Sequence, residues 1–174
     1  MYNNFWKISL SNLIQKTITE FNDPLRIAVV GIGNELRNDD AAGMLVARTL
    51  LQYENPKHAL ILRAGHAPEN FTNELRAYHP QLVLMVDAVD MGAAPGSISL
   101  IPFEQIDGMT ASTHSLPLSM LARYLTLELG CIIALIGIQA ASNDVGESVA
   151  PAVLDAVHEV AETIFEVCMT GVNA

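Results

Sequence analysis

The chain is poor in charged residues, and above all in positive ones. Only 16% of its 174 residues are charged, and 19 acidic residues against nine Lys and Arg give a net charge of −10. Because the phosphates of a nucleic acid repel an acidic surface, this composition argues against DNA or RNA as a partner. A cation, a basic peptide or a neutral surface remains compatible with it.

Cysteines and long apolar runs are also scarce. The two cysteines, Cys131 and Cys168, lie in apolar patterns, so we expect buried free thiols and a reducing cytoplasm. Residues 1–21 lack the apolar core and the small-residue cleavage site of a signal peptide. The longest apolar runs fall short of the roughly 20 residues of a membrane span. We therefore expect a cytoplasmic protein with no membrane insertion.

Apolar residues, in contrast, are abundant, at 51% of the chain. At this length roughly two thirds of the unfolded surface can be buried, so folding needs neither a metal nor a disulfide. We predict a single α/β domain over residues 1–174, with an extra N-terminal helix within 1–24 and the core of the fold in 25–174.

The periodicity of the apolar residues predicts alternating helices and strands. Residues 5–21 have helical spacing, and we expect the aromatic residues of this helix to pack on the core. Strands are predicted over 26–32, 58–64, 81–90, 96–102 and 131–139, and further helices over 40–53, 70–79, 115–129 and 149–169. This alternation indicates a mostly parallel sheet with helices on both faces, a three-layer αβα sandwich, with 96–102 at an edge.

The helix over 40–53 follows a glycine-rich turn, "GIGNELRNDDAAG", that resembles a nucleotide loop only superficially. Leu36 occupies the third position of the dinucleotide fingerprint, and no Lys-Ser or Lys-Thr pair follows. A phosphate there would face Asp39 and Asp40. Repulsion of roughly 1 to 4 kcal/mol per close charge pair exceeds the roughly 0.3 to 1 kcal/mol that a helix N-terminus contributes. A nucleotide-binding enzyme is therefore the weakest hypothesis.

Three polar residues come from loops that an α/β sheet could bring to one edge. Asp40 follows the first strand, Asp87 closes the apolar run "LVLMV", and His114 precedes a helix in which Ser115 is a plausible N-cap and Pro117 lies in the first turn. Two oxygen donors and one nitrogen donor at one edge of a sheet suit a divalent metal of borderline hardness. The alternatives are helix capping by Asp39 or Asp40, a structural hydrogen bond for Asp87 and a solvated loop for His114.

Four segments resemble, in order, the sequence blocks of the [NiFe]-hydrogenase maturation endopeptidases. They are "GIGNELRNDDAAG", "MVDAVDMGAAPG", "TASTHSLPLSML" and "IIALIGIQ", and "HAPENFTNELRAYHP" is similar to a segment of the formate-hydrogenlyase-type branch. The resemblance spans about residues 26–170. It implies a twisted five-stranded sheet between helices, and an aspartyl-type peptidase or hydrolase. Such an enzyme removes the C-terminal extension of the hydrogenase large-subunit precursor after nickel insertion.

The resemblance also assigns the site. It implies that Asp40, Asp87 and His114 contact nickel, that the bound substrate supplies this nickel and that no organic cofactor is needed. The three metal contacts are expected to be essential. The catalytic group itself stays unassigned, because the chain contains no G-x-S-x-G nucleophile and no H-E-x-x-H motif.

Two positions depart from the family pattern. Ala41 replaces a usual glycine and would disfavour a positive φ. Arg63, followed by Ala64, stands where the family commonly has aspartate. Arg63, His66 and Asn34 are candidate substrate contacts. The exchange at Arg63 also motivates an alternative function, a non-catalytic nickel checkpoint or assembly partner that binds the precursor without cleaving it.

Overall fold

Five strands form one sheet in the computed structural model, which describes residues 5–22, 24–53, 59–106, 117–146 and 148–170. They are β1 (Ile27–Ile32), β2 (Ala59–Gly65), β3 (Leu82–Val89), β4 (Ile98–Pro102) and β5 (Ile132–Gln139). Their order across the sheet is β2-β1-β3-β5-β4, and only β4 pairs antiparallel. The predicted mostly parallel sheet is confirmed, with β4 at an edge.

The burial of the strands follows their composition. Every residue of β1 and β3 is buried, whereas β4 is mostly half-exposed. A central strand covered on both faces needs continuous apolar residues, while an edge strand tolerates alternation. The two patterns in the sequence therefore marked the middle and one edge of the sheet.

Helices cover both faces of the sheet. They are α1 (Phe5–Phe21), α2 (Ala42–Leu50), α3 (Thr72–Tyr78), α4 (Leu118–Leu129) and α5 (Pro151–Thr170). One apolar cluster joins the sheet to α1, α2 and α5, and a second joins its other face to α3 and α4. This arrangement confirms the three-layer sandwich. Within the described ranges, no helix is both long enough and apolar enough to cross a membrane.

The N-terminal helix packs on the core, and the prediction for its aromatic residues is confirmed for Trp6 but wrong for Phe5, which is 78% exposed. Trp6, Leu10 and Ile14 of α1 are buried. The Trp6 indole Nε1 donates a hydrogen bond to Oε1 of Glu159 in α5 at 3.2 Å, and Lys7 Nζ lies 3.2 Å from the same oxygen. The buried stripe and this polar contact attach α1 to α5.

The four helices after α1 begin two or three residues later than their sequence patterns indicate. A short 3₁₀ helix, η1 (Asn38–Ala41), precedes α2, and no side chain caps either element. In α4, Pro117 is the N-cap residue, with ψ at 133°, instead of lying inside the first turn. Ser115, the predicted cap, lies outside the described residues.

Both cysteines are free and buried, as predicted. Burial raises the pKa of the Cys131 thiol to about 11 and that of Cys168 to about 12. Both thiols are therefore neutral at neutral pH, and neither offers a thiolate nucleophile.

The raised thiol pKa values predict a loss of stability at alkaline pH. Unfolding returns each thiol to an ordinary pKa of about 8.5, so the unfolded chain releases protons that the folded chain retains. The contribution of the neutral thiols to the free energy of unfolding is fully present below about pH 8.5 and is lost as pH rises toward 11 to 12. We expect the urea midpoint to fall over this range, and to fall less in the double variant Cys131→Ala/Cys168→Ala. An equal fall in both proteins would contradict the assignment.

Candidate functional site

The site depends on a close approach between α2 and the sheet. A Cβ atom at Gly43 would collide with the carbonyl oxygens of Val86 and Ile32, and one at Gly31 would collide with the carbonyl oxygen of Gly43. The first turn of α2 therefore lies directly against the carboxyl ends of β1 and β3. As a result η1, which immediately precedes α2, contacts β3.

The loop between β1 and η1 turns back on itself at Gly33. This residue has φ at 128°, and a side chain there would collide with the carbonyl oxygen of Asp40. Gly33 N–H donates to Gly65 O at 3.0 Å, and Asn34 N–H donates to Asp40 O at 3.1 Å. The turn therefore brings Asp40 back to the end of β1. Gly31 lies within β1 and serves the helix approach, so of these two glycines Gly33 is the one that turns the chain, and Asn38 adds a second positive φ, of 42°, at the start of η1.

Asp40 and Asp87 are both buried where the sequence predicted a site. Asp40 is 5% exposed in η1, and Asp87 is fully buried in β3, opposite Gly137 of β5. Because side chains alternate along a strand, Asp87 shares the face of Val83, which is the face that α4 covers. The structure thus brings the two carboxylates into contacting elements.

The third predicted metal contact, His114, lies outside the described residues. It precedes α4, which packs on the face of the sheet that carries Asp87. Among the residues that the structure describes, no three His, Cys, Asp or Glu side chains form a group that could hold a metal ion. The complete three-residue site therefore stays a prediction.

Asp39 has a role that the sequence did not indicate. Its carboxylate is 1% exposed and accepts three backbone hydrogen bonds, from Ala141 N at 2.7 Å, Ser142 N at 3.0 Å and Ala150 N at 2.7 Å. Capping of a helix by Asp39 is therefore wrong. The side chain fastens the loop between β5 and α5 to η1.

Gln139, the last residue of β5, was also missed. Its Oε1 accepts hydrogen bonds from Met91 N at 2.7 Å and Ala93 N at 3.2 Å, and its Nε2 donates to Ala140 O at 3.0 Å. The side chain is 6% exposed and holds the loop after β3 against β5. A polar residue at the end of a buried apolar run was the only signal in the sequence.

Arg63 forms an ion pair near the candidate site. Its Nη2 lies 2.9 Å from Glu35 Oε2, while Arg48 Nη1 lies 3.7 Å from the other oxygen of Glu35. All three side chains are at least 38% exposed, so the cluster contributes little to stability. It leaves one net positive charge at the rim, where the family pattern has a carboxylate.

The other candidate substrate contacts also lie at the rim. His66 is exposed, immediately after β2. Asn34 is half-buried, and its Oδ1 accepts a hydrogen bond from Leu36 N at 2.9 Å, which shapes the loop after β1. His66 is therefore accessible to a substrate, while Asn34 is partly occupied by its own loop.

The second departure, at Ala41, has no conformational cost. Ala41 has φ at −70° and ψ at −12°, the ordinary right-handed helical region. A glycine is therefore not needed here, because no positive φ has to be adopted. The expected strain at Ala41 is absent.

Comparison with known proteins identifies the family. The family model described as "HycI: Hydrogenase maturation protease" matches residues 44–167. The chain belongs to this family. The matched region contains Asp87 and begins just after η1, so the hydrogenase maturation protease family extends over most of the sheet and its helices.

Individual hydrogenase maturation proteases are similar to this chain in sequence and in fold. The hydrogenase 3 maturation protease of Escherichia coli is 38% identical over 110 residues, which are 62% of this chain and 69% of that protein. The crystal structure of HycI from Thermococcus kodakarensis KOD1 matches with a TM-score of 0.78 and 33% identity, over 90% of this chain and 98% of that chain. The solution structure of the endopeptidase HycI from Escherichia coli matches with a TM-score of 0.70 and 29% identity, over 84% and 94%. The resemblance seen in the sequence is confirmed, and the chain is an endopeptidase by family.

Because α2 lies so close to the sheet at Gly43, we predict that Gly43→Ala destabilises the folded protein. The added methyl group meets backbone carbonyl oxygens that have no free rotation, so α2 must move away from β1 and β3. We expect a loss of about 1 to 3 kcal/mol in the free energy of unfolding, measured by urea denaturation. As a control, Gly130→Ala adds a methyl group into open space at the end of α4 and is expected to cost about 1 kcal/mol, from its positive φ alone. Equal stability of Gly43→Ala and the parent protein would show that the approach is not as close as described.

Proposed function

We propose that this protein is a nickel-dependent endopeptidase of the cytoplasm. It removes the C-terminal extension of a [NiFe]-hydrogenase large-subunit precursor after nickel has been inserted. The bound precursor supplies the nickel as part of the substrate. The observation that supports this most strongly is the burial of Asp40 and Asp87 in two contacting elements, in a chain of the hydrogenase maturation protease family.

Electrostatics favours a cation at these carboxylates. Asp40 and Asp87 are buried acidic side chains in two contacting elements. A divalent cation bound by both would be stabilised by their negative charge. The donor set of two carboxylate groups and the imidazole of His114 suits a borderline metal such as nickel better than it suits magnesium or calcium, which prefer oxygen donors alone.

Binding of the nickel would fix the precursor relative to the protease. Asp40, Asp87 and His114 would hold the metal site of the precursor, which places the adjacent peptide bond against the carboxyl edge of the sheet. The substrate's nickel supplies Lewis acidity toward the scissile carbonyl or a water molecule. Since both cysteine thiols are buried and neutral, we propose that water attacks the peptide bond, and we assign no separate nucleophile.

The rim residues would contact the precursor beside its nickel site. Arg63 and His66 are accessible at the end of β2 and just after it. Asn34 lies in the loop after β1, which is hydrogen-bonded to the end of β2 through Gly33 N–H and Gly65 O. The positive charge of Arg63 would favour an acidic group of the precursor, once that group replaces Glu35 as its partner. This arrangement would distinguish precursors by the charge next to the cleaved extension.

Replacement of the proposed nickel contacts should abolish processing. We expect Asp87→Ala and His114→Ala to lower the rate of cleavage of the nickel-loaded precursor by more than about tenfold, because each removes a ligand. Mass spectrometry of the precursor after incubation gives the readout. Asp155→Ala and His158→Ala are matched controls, since both side chains are exposed on α5. Normal processing by both Asp87→Ala and His114→Ala would overturn the site assignment.

The same experiment separates cleavage from mere binding. If the unmodified protein binds the nickel-loaded precursor and its mass does not change, the non-catalytic checkpoint replaces the endopeptidase as the function. Loss of the C-terminal extension in the presence of the parent protein, and not in its absence, supports the endopeptidase.

A further inference from the structure

Two buried polar side chains connect three loops at the carboxyl edge of the sheet. Asp39 joins η1 to the loop between β5 and α5, and Gln139 joins the end of β5 to the loop after β3. Because Asp40 follows Asp39 directly and Asp87 lies in β3, these connections bracket both candidate metal contacts. We call Asp39 and Gln139 the polar brace.

Of the two residues, Asp39 has the stricter hydrogen-bonding requirement. Its Oδ2 accepts from Ala141 N and Ser142 N, and its Oδ1 accepts from Ala150 N. The backbone adds a further connection, from Asp39 N to Ser142 O at 3.2 Å. All three donors to the carboxylate are N–H groups, so only a side chain that accepts on both terminal atoms satisfies them.

Gln139 contacts a neighbouring part of the same segment. Its Oε1 accepts from two N–H groups of the loop after β3, and its Nε2 donates to the carbonyl oxygen of Ala140. Residues 139–142 are therefore connected to the loop after β3 by Gln139 and to η1 by Asp39. A displacement of this segment would be transmitted to η1 and to the loop after β3 together.

We propose that Asp39 is a positioning residue for peptide cleavage. It fixes η1, and with it Asp40, against the loop between β5 and α5, and Gln139 extends this fixation to the loop that follows Asp87. The proposal rests on the proposed function, because it assigns Asp39 to the same site without direct contact with the substrate. A misplacement of about 1 Å in such a site can lower a rate by about a hundredfold.

The test uses Asp39→Asn in the 174-residue protein. An asparagine has nearly the same shape, but its Nδ2 must face an N–H group, so at least one of the three hydrogen bonds is lost. At a temperature where circular dichroism shows every variant to be folded, we expect kcat/KM for the nickel-loaded precursor to fall at least about tenfold. Amide hydrogen exchange at Ala141, Ser142 and Ala150 should accelerate.

Two further variants separate positioning from general stability. Leu10→Ala opens a cavity beneath α1, a helix that takes part in none of the hydrogen bonds of Asp39 and Gln139, and should lower the melting temperature while it leaves kcat/KM within about twofold of the parent. Gln139→Glu places a carboxylate oxygen against Ala140 O and should lower kcat/KM in the same direction as Asp39→Asn.

The outcomes distinguish this proposal from the proposed function. A parent protein that fails to cleave the precursor contradicts the proposed function, and the exchange measurement then decides alone whether Asp39 holds the loops. Full activity of Asp39→Asn, with accelerated exchange or without it, overturns the positioning role. An equal loss of kcat/KM in Leu10→Ala would also overturn it, because a general loss of stability would then explain the effect.

Discussion

The van der Waals contact between the first turn of α2 and the sheet determines the geometry of the site. Two glycines, Gly31 in β1 and Gly43 in α2, let helix backbone lie on strand backbone. Without that approach η1 would stand away from β3, and Asp40 would not share an edge with Asp87. The glycines of the first loop therefore serve packing as much as turning, and only Gly33 uses a conformation that other residues avoid.

Besides this packing, polar side chains at the carboxyl edge of the sheet fix the loops of the site through hydrogen bonds. Asp39 and Gln139 supply buried acceptors and donors that satisfy backbone groups of neighbouring loops. Since a buried carboxylate is costly unless it is hydrogen-bonded, Asp39 favours the one arrangement in which all three N–H groups reach it.

The two departures from the family pattern have different consequences. Ala41 lies in an ordinary helical conformation, so its methyl group imposes no strain. Arg63 changes the charge at the rim, but the ion pair with Glu35 partly neutralises it within the same protein. The charge of Arg63 is thus shared with Glu35 at the surface of the site, where Arg48 contacts the other oxygen of the same carboxylate.

The sequence by itself determined the sheet, its helices and the family. The burial pattern of β1 and β3, the edge position of β4 and the bounds of α1 follow from side-chain periodicity, which depends on residues a few positions apart. Asp40 and Asp87 were identified because strands end there, and a parallel sheet gathers its carboxyl ends at one edge.

Only the tertiary structure decided the start of α2, the partners of Asp39 and Gln139, and the ion pair of Arg63. The Asp39 carboxylate and the Ala141 N–H group that donates to it are 102 residues apart in the chain. A local pattern that suits a helix cap also suits such a distant hydrogen bond. The choice between them depends on which N–H groups the packing of α2 and α5 brings within reach, and that is a property of the folded chain alone.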